Sequence, residues 1–325
     1  MKENNIFTLT PGSYFKEAFD DYESMISATK VWSQVCTYQM KKGGFSGEHE
    51  FLHLENILLS YGIRDGSLYY DVISPKDCIS VVIIEKCEGK ACFGSFKLQT
   101  NDIIVFDSIE NFMMNTSINF TILSIPKLYL RKLNILSKLT SCINKKLYNT
   151  DELISKQIHS VFDKFKNKKY LQDKNFYPQS EKKIIENLLF LIDKQKPMPQ
   201  KLTKGESTVL IIKENLYKHI DKTINITLLT NKYPISERTL QKSFQSLFGF
   251  SPNDFLRILK LNHVHKELQE SSVKDITVSS VASKWGFAHM SRFAAYYKEL
   301  FEVNPSVTLY KSKQTNKNID HFCTV

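Results

Sequence analysis

The stretch VSSVASKWGFAHMSRFAAYYKELFEVNPSVTL, residues 278–309, has the pattern of two helices joined by a tight turn. The pattern predicts a short helix over Val278–Lys284 and a second helix over His289–Leu300. Trp285-Gly286-Phe287 predicts the turn between them, because glycine adopts positive φ without steric cost. The second helix has one apolar face, formed by Phe293, Tyr297 and Leu300. This arrangement predicts a helix-turn-helix whose second helix is held in place by its apolar face.

A similar arrangement occurs earlier, around ISERTLQKSFQSLFGFSPNDFLRILKLNHVHKEL, residues 235–268. A short helix predicted over Thr227–Lys232 leads into Tyr233-Pro234-Ile235, and Ser236 stands where an N-cap is expected. The next helix has an apolar face of Leu240, Phe244 and Leu247. Its opposite face has residue types that contact base edges and phosphates, namely Arg238, Gln241, Lys242 and Gln245. One long helix, predicted over Asn253–Gln269, connects the two copies.

These two phrases resemble the DNA-binding domain of the AraC/XylS family of bacterial transcription regulators. The resemblance covers residues 206–311, about a third of the chain. Residues 51–125 are loosely similar to the AraC-binding-like sensor domain, as in the ethanolamine-utilisation regulator. The resemblance implies two helix-turn-helix units, joined by the long helix, that meet successive major-groove segments on one face of DNA.

The resemblance also implies which residues contact DNA. In the first helix-turn-helix they are Ser236, Arg238, Thr239, Gln241 and Lys242, and in the second they are His289, Met290, Ser291 and Arg292. Candidate phosphate contacts are Lys260, Lys284 and Lys298, for which a solvated surface charge is an equally good interpretation. Three residues depart from the family pattern: Thr230 replaces Ala, and Pro234 and Glu302 replace Gly. Because proline cannot adopt positive φ, we expect the first turn to differ from the second.

The rest of the chain predicts an α+β multidomain protein. Short apolar runs about ten residues apart predict an antiparallel β-rich, cupin-like domain over residues 1–125, with turns at Arg64-Asp65-Gly66 and Glu88-Gly89-Lys90. The second turn would join a β-hairpin that carries Cys87 and Cys92. Residues 126–198 have helical spacing and predict a connector or dimerisation region; the alternative is a monomeric connector packed on the β domain. Residues 206–311 form the predicted all-α DNA-binding domain.

Charge is distributed unevenly along the 325 residues, whose net charge is +10. Residues 1–125 have a net charge of −6, residues 126–200 of +9, and residues 201–325 of +7. A basic C-terminal half favours a polyanionic partner such as nucleic acid, although a lysine-rich solvated surface gives the same excess. The six cysteines lack metal-site spacing and are expected to be reduced.

One motif favours a different function. His49-Glu50-Phe51-Leu52-His53 matches the H-E-x-x-H pattern of zinc hydrolases, which requires both histidines on one face of a helix. The residues that follow precede the β-rich segment and favour a strand, on which the two histidines would be about 13 Å apart. Zinc-dependent hydrolysis is therefore the alternative function, and a coincidental match is the main interpretation.

Together these observations predict a non-enzymatic, cytoplasmic, bacterial transcription regulator that binds double-stranded promoter DNA and needs no cofactor. A small-molecule effector, a homodimer and, for an activator, RNA polymerase are its further expected partners. No apolar stretch is long enough to span a membrane. The tail Ser312–Val325 is polar and expected to be mobile. The sequence does not identify the effector, the target genes or the direction of regulation.

Overall fold

The computed structural model describes residues 10–28, 37–72, 74–107, 111–143, 145–167, 175–199, 201–218, 220, 226–270 and 276–310. The tail Ser312–Val325 lies outside the described residues, as do Cys36 and Cys323. The chain folds as two compact units. The N-terminal unit contains the described residues up to Thr37 and Gly44–Lys201, and the C-terminal unit contains Tyr38–Gly43 and the described residues from Leu202 onward.

The N-terminal unit is a curved antiparallel sheet with helices. The strands of the sheet are β1 Tyr14–Phe19, β2 Thr37–Gln39, β3 Ser46–His53, β4 Leu58–Val72, β5 Cys78–Glu88, β6 Cys92–Phe93, β7 Phe96–Lys97, β8 Asp102–Phe106, β9 Asn111–Pro126, β10 Lys145–Tyr148 and β11 Met198–Pro199. Of β2, Thr37 belongs to this unit and the other two residues to the C-terminal unit. The helices of the N-terminal unit are α1 Tyr22–Ala28, α2 Lys127–Lys132, α3 Leu136–Thr140, α4 Leu153–Lys166 and α5 Phe176–Lys194. The predicted fold class, a β-rich N-terminal domain followed by helices, is confirmed.

The main path of the sheet runs β1-β3-β4-β9-β5-β8-β10-β11, with each neighbouring pair antiparallel. One face packs on α4 and α5, where Leu59 and Val81 share a core with Ile158 and Leu188. The other face has its own core, which includes Val82, Phe93, Phe106 and Phe120. Alternating side chains of the central strands are thus buried on both faces, which explains their nearly continuous apolar sequence.

Two predicted turns require correction. Arg64-Asp65-Gly66 is not a turn between strands but part of the continuous strand β4, where the register with β9 shifts between Asp65 and Leu68. One extra residue of β4 in this interval forms a β-bulge, which bends a strand without ending it. Glu88 does end β5, but the hairpin that follows pairs β6 with β7 through Gly94 and Ser95. Cys92 therefore pairs with Lys97 and with Met114, not with the strand of Cys87.

The C-terminal unit consists of helices α6 Lys204–Lys218, α7 Ile226–Lys232, α8 Glu237–Leu247, α9 Pro252–Glu270, α10 Val278–Lys284 and α11 Met290–Phe301, and residues 305–310 are also helical. The long helix α9 lies between the two helix-turn-helix units and buries Phe255, Leu259 and Val264. The buried amide of Asn262 on α9 exchanges two 2.8 Å hydrogen bonds with the backbone of Gln39, which brings residues 38–43 into this unit.

Among the described residues, no helix is long and apolar enough to cross a membrane. The four described cysteines, Cys78, Cys87, Cys92 and Cys142, are free thiols. Burial raises the pKa of the Cys78 thiol to about 12, so this thiol stays protonated near neutral pH.

Candidate DNA-binding interface

The first helix-turn-helix consists of α7 and α8. Ser236 caps α8, since its side chain accepts a hydrogen bond from the Thr239 backbone N–H at 3.2 Å. Leu240, Phe244 and Leu247 are buried, as their spacing predicts. The opposite face is exposed and presents Arg238, Gln241, Lys242 and Gln245. The predicted polar face of α8 is therefore exposed to solvent.

Helix α6 supports α8 from behind. Thr203 and Glu206 form a reciprocal pair of hydrogen bonds at the start of α6, with the Thr203 N–H donating to Glu206 at 2.9 Å and the Glu206 N–H donating to Thr203 at 3.2 Å. The same Glu206 carboxylate accepts a 2.9 Å hydrogen bond from Ser246 of α8. A Cβ atom at Gly205 would lie 2.5 Å from the Ser243 hydroxyl, so the close packing of α6 on α8 requires glycine there.

The turn of the first helix-turn-helix is built around Pro234. The Ile235 N–H donates to the Tyr233 carbonyl at 2.7 Å, which closes a three-residue turn centred on the proline. An inverse γ-turn needs φ of about −75° at its centre, close to the value of about −65° that the proline ring imposes. The expected departure of this turn from the glycine-based form is confirmed.

The second helix-turn-helix consists of α10 and α11. Thr277 and Ser280 cap α10 reciprocally. At its other end Gly286, with φ of 83°, donates to Ser283 at 2.9 Å, and Phe287 donates to Ala282 at 3.0 Å. This pair of bonds is a Schellman motif, in which the residue after the C-cap is left-handed and glycine is favoured. The predicted turn at Trp285-Gly286-Phe287 is confirmed.

Helix α11 presents a short polar segment at its start. His289 is the N-cap residue and is exposed, as are Ser291 and Arg292, while Met290 is half-buried. Phe293, Tyr297 and Leu300 are buried on the opposite side. The nine residues that the resemblance assigns to DNA contact thus lie at the starts of α8 and α11. Two of them, Ser236 and Thr239, already hydrogen-bond to each other at 2.9 Å within the cap.

A single carboxylate fastens the second turn to α9. Glu267 accepts a 2.8 Å hydrogen bond from the Trp285 indole and 2.9 Å contacts from Lys284. Burial raises the pKa of Glu267, but these donors outweigh it and hold the pKa below its usual value. The indole also stacks on His263 with ring centres 4.4 Å apart. Sequence patterns did not indicate this clamp, because Glu267 and Lys284 are seventeen residues apart.

The three candidate phosphate-contacting lysines differ in their surroundings. Lys298 is exposed on α11. Lys284 is exposed but paired with Glu267 at 2.9 Å. Lys260 is buried, with only 8% of its surface exposed, and its ammonium lies beneath Gly286. Lys260 is therefore the least accessible of the three lysines, Lys298 is exposed, and their contacts with phosphate stay predictions.

The H-E-x-x-H motif lies on strand β3, not on a helix. On a strand, His49 and His53 are about 13 Å apart along the chain. Glu50 is engaged by Tyr14 at 2.9 Å and Lys166 at 2.8 Å. In the part of the chain that the structure describes, no three His, Cys, Asp or Glu side chains are grouped to hold a metal ion. The motif therefore does not have the geometry of a zinc hydrolase.

Comparison with known proteins agrees with the geometry of the C-terminal unit. Residues 229–310 match a family model described as a helix-turn-helix domain. The chain is 32% identical over 94 residues to a probable thc operon regulatory protein of Rhodococcus erythropolis. These aligned residues cover 29% of this chain and 28% of that protein. The chain is 30% identical over 109 residues to a XylDLEGF operon transcriptional activator of Pseudomonas putida. This second alignment covers 34% of this chain and 33% of that protein.

A crystal structure of a probable AraC family transcriptional regulator from Rhodopseudomonas palustris is 30% identical. The match covers 34% of this chain and 99% of that one, with a TM-score of 0.31. The chain spans a third or less of the length of the two curated relatives described above. Through this C-terminal domain, the chain belongs to the AraC/XylS family of helix-turn-helix regulators.

Proposed function

We propose that this protein is a non-enzymatic transcription regulator that binds a specific double-stranded DNA site through both helix-turn-helix units. The observation that carries the proposal is the repeated arrangement of a buried apolar stripe and an exposed polar start on α8 and α11. Arg238 and Arg292 have the side-chain type that makes bidentate contacts with guanine, and Gln241 the type that does so with adenine. Lys298 is the proposed phosphate contact.

The N-terminal unit is proposed to bind a small effector that controls DNA binding. The antiparallel sheet of this unit supports this role, because one of its two buried faces contains a pocket lined by His49, Arg64 and Tyr70. A homodimer formed through residues 126–198 and, for an activator, contact with RNA polymerase complete the proposal. Analytical ultracentrifugation of the full chain tests the dimer, since a monomer at micromolar concentration contradicts it.

The decisive experiment is selection of random DNA fragments by the full-length protein at two salt concentrations. We expect an enriched motif with two elements about one helical turn apart, and weaker binding at higher salt because binding releases counterions. A single enriched element would contradict base reading by one of the two units. No enrichment at either salt would contradict sequence-specific binding.

Single substitutions then assign the elements. Arg238→Ala and Arg292→Ala should each relax selection at one position in different elements and cost about 1–3 kcal/mol of binding free energy there. Arg131→Ala, which removes an exposed arginine of the N-terminal unit, is the matched control and should leave the motif unchanged. If Arg238→Ala or Arg292→Ala weakens binding to all sequences equally, that arginine contacts phosphate and not a base.

A further inference from the structure

The face of the sheet that carries the core of Val82, Phe93, Phe106 and Phe120 contains a charge that is fully removed from solvent. Arg64 on β4 is 0% exposed. Its Nη1 donates to the backbone carbonyls of Glu48 at 3.0 Å and Ile63 at 2.9 Å, and its Nη2 lies 3.3 Å from Nδ1 of His49. Its Nε has no hydrogen-bond partner. Burial lowers the pKa of Arg64 to about 10, still far above neutral pH, so the side chain stays protonated.

The acidic residues of the neighbouring strand β3 do not compensate this charge. The Glu48 carboxylate pairs with Lys16 at 2.9 Å. The Glu50 carboxylate pairs with Lys166 at 2.8 Å. Among the described residues, no carboxylate forms an ion pair with Arg64. Removing an uncompensated cation from water is unfavourable, and a bound anion would offset that cost.

His49 supplies a second unused donor beside the guanidinium. It pairs in register with Gly62 on β4, and its ring is almost completely buried. Burial and the Arg64 charge hold the pKa of His49 well below its usual value, so the ring is neutral. Because the Arg64 guanidinium can only donate, Nδ1 of His49 must accept, which places the single ring proton on Nε2. Nε2 has no partner, so an N–H group remains unsatisfied.

Tyr70 supplies a third donor that is poorly matched. Its buried hydroxyl donates to the Met113 thioether at 2.8 Å, and sulfur is a weak acceptor. Arg64, His49 and Tyr70 line one pocket, whose other walls include Met113, Phe120 and Ile122. Three donors thus line a pocket to which, among the described residues that line it, no side chain contributes a carboxylate or an amide oxygen as acceptor.

The backbone is adapted to hold the guanidinium there. A Cβ atom at Gly62 would lie 2.6 Å from the Phe120 ring and 3.2 Å from Nη1 of Arg64. Arg64 also lies over the Phe120 ring, 5.3 Å from its centre. Glycine at position 62 therefore makes room for the arginine to lie between His49 and Phe120.

We propose that this pocket binds a small organic carboxylate, with its charged group on Arg64, His49 and Tyr70 and its apolar body against Met113, Phe120 and Ile122. The inference rests on the effector-binding part of the proposed function and names the chemical class of that effector. An acceptor with negative charge satisfies the three donors and compensates the buried cation, whereas a water molecule satisfies donors only.

The pocket must widen to accept such a molecule. In this conformation its free volume is about 20 Å³, which admits no more than a water-sized group. Met113 is the adaptable wall, because its side chain is unbranched and has three rotatable bonds. Rotation of Met113 would also release the Tyr70 hydroxyl for the incoming carboxylate.

The test is thermal unfolding of the full-length protein without DNA, in the presence of acetate, butyrate or benzoate. Their neutral amides (acetamide, butyramide and benzamide) and sodium chloride at equal ionic strength are the comparison probes. We expect at least one carboxylate to raise the unfolding midpoint by about 4 °C at a hundredfold excess over its Kd. Equal shifts with the amide or with chloride would overturn the carboxylate assignment, as would the absence of a shift with all three acids.

Variants locate the effect. Arg64→Met should abolish the carboxylate-dependent shift, and Arg131→Met, the same change at an exposed position, should retain it. Tyr70→Phe removes one hydroxyl from a well-packed ring and should weaken binding about tenfold while the protein remains folded. This second variant keeps the test valid if Arg64→Met does not fold. A shift that persists unchanged in Tyr70→Phe and in Arg64→Met would overturn the site.

Failure of this inference is distinguishable from failure of the proposed function. If no carboxylate binds but the DNA selection yields a two-element motif, the ligand class is wrong and the regulator stands. If carboxylates bind through Arg64 but no DNA is enriched, the pocket stands and the DNA-binding function is wrong.

Discussion

The two helix-turn-helix units present their exposed helices in the same way but are stabilised by different chemistry. The first turn is closed by a three-residue turn around Pro234, and the second by a Schellman motif that requires Gly286 at positive φ. Helix α8 is supported by α6 through Glu206, whereas the turn before α11 is clamped to α9 through Glu267. The comparison shows that the presentation of the helix is shared while the local means of support are not.

The hydrophobic cores of the two helix-turn-helix units also differ. The first contains a cluster of phenylalanines in which Phe248 stacks on Phe255 with ring centres 4.9 Å apart. The second contains a histidine, since His265 stacks on Phe301 at 4.1 Å and bonds to the Tyr297 hydroxyl at 2.6 Å. We therefore expect the two helix-turn-helix units to lose similar stability when a buried ring is removed, but to differ in how their stability depends on pH.

The largest expected effect on stability comes from the apolar stripe that α8 and α11 share. Phe244→Ala and Phe293→Ala each remove a buried ring from the apolar stripe, and each should lower the free energy of unfolding by about 3–5 kcal/mol. Urea unfolding followed by tryptophan fluorescence measures the loss, because Trp285 lies in the C-terminal unit. A loss below about 1 kcal/mol in either variant would show that its stripe does not support that helix.

The pH dependence of stability distinguishes the two helix-turn-helix cores, because His265 lies in the second. Burial lowers the pKa of His265 to about 4 from its ordinary value of 6.5, so the unfolded chain takes up a proton before the folded one. Stability is therefore complete above about pH 6.5 and declines as the pH falls towards 4, by up to about 3 kcal/mol.

Urea unfolding at pH 7, 6, 5 and 4 measures this decline. The variant His265→Gln should flatten the profile. His289→Gln, at an exposed position, is the control and should preserve it. An unchanged slope in His265→Gln would assign the acid sensitivity to another group.

Gly286→Ala probes the glycine on which only the second turn depends. An alanine at φ of 83° is strained, and its Cβ would lie 3.2 Å from the Lys260 ammonium. We expect a loss of about 1–2 kcal/mol in unfolding free energy. The corresponding change Pro234→Ala should cost less than about 1 kcal/mol, because it acts mainly on the unfolded chain. Equal losses would remove the distinction between the two turns.

The smallest expected effect is an increase in the free energy of unfolding. The first copy ends in Gly249 with φ of 76°, and the second ends in Glu302 with φ of 61°. Glu302→Gly should stabilise the protein by about 1 kcal/mol, because it relieves a left-handed residue that has a Cβ. The ion pair lost with Lys42 is 4.0 Å long and exposed, and contributes little. A lower unfolding midpoint in Glu302→Gly would show that this glutamate has a role that outweighs its strain.

Much of the C-terminal unit could be predicted from the sequence. The short helix Val278–Lys284 has the predicted bounds, and the long helix differs from its prediction by one residue at each end. Ser236 caps α8 as predicted. These features depend on contacts within one or two turns of the chain, which residue type and spacing encode directly. The assignment of individual residues to DNA contact stays a prediction.

The N-terminal unit was less predictable. The position of Arg64 within a charged turn-like triplet favoured a solvent-exposed loop, yet β4 continues through a bulge and buries this arginine. Lys260 is likewise buried on α9, and its spacing along the helix did not indicate this. Burial of a polar residue depends on which distant segments pack over it, and periodicity contains little information about that.

Residue type and spacing were enough to predict the paired helices, their apolar stripes, the capping residues and the departure at Pro234, because each is a property of a few consecutive residues. The folded structure was needed to show that Glu267 bonds to the second turn and that His49 and Arg64 meet beside Gly62. Those contacts join residues far apart in the chain or on separate strands. They follow from strand register and helix packing, which the whole fold sets together.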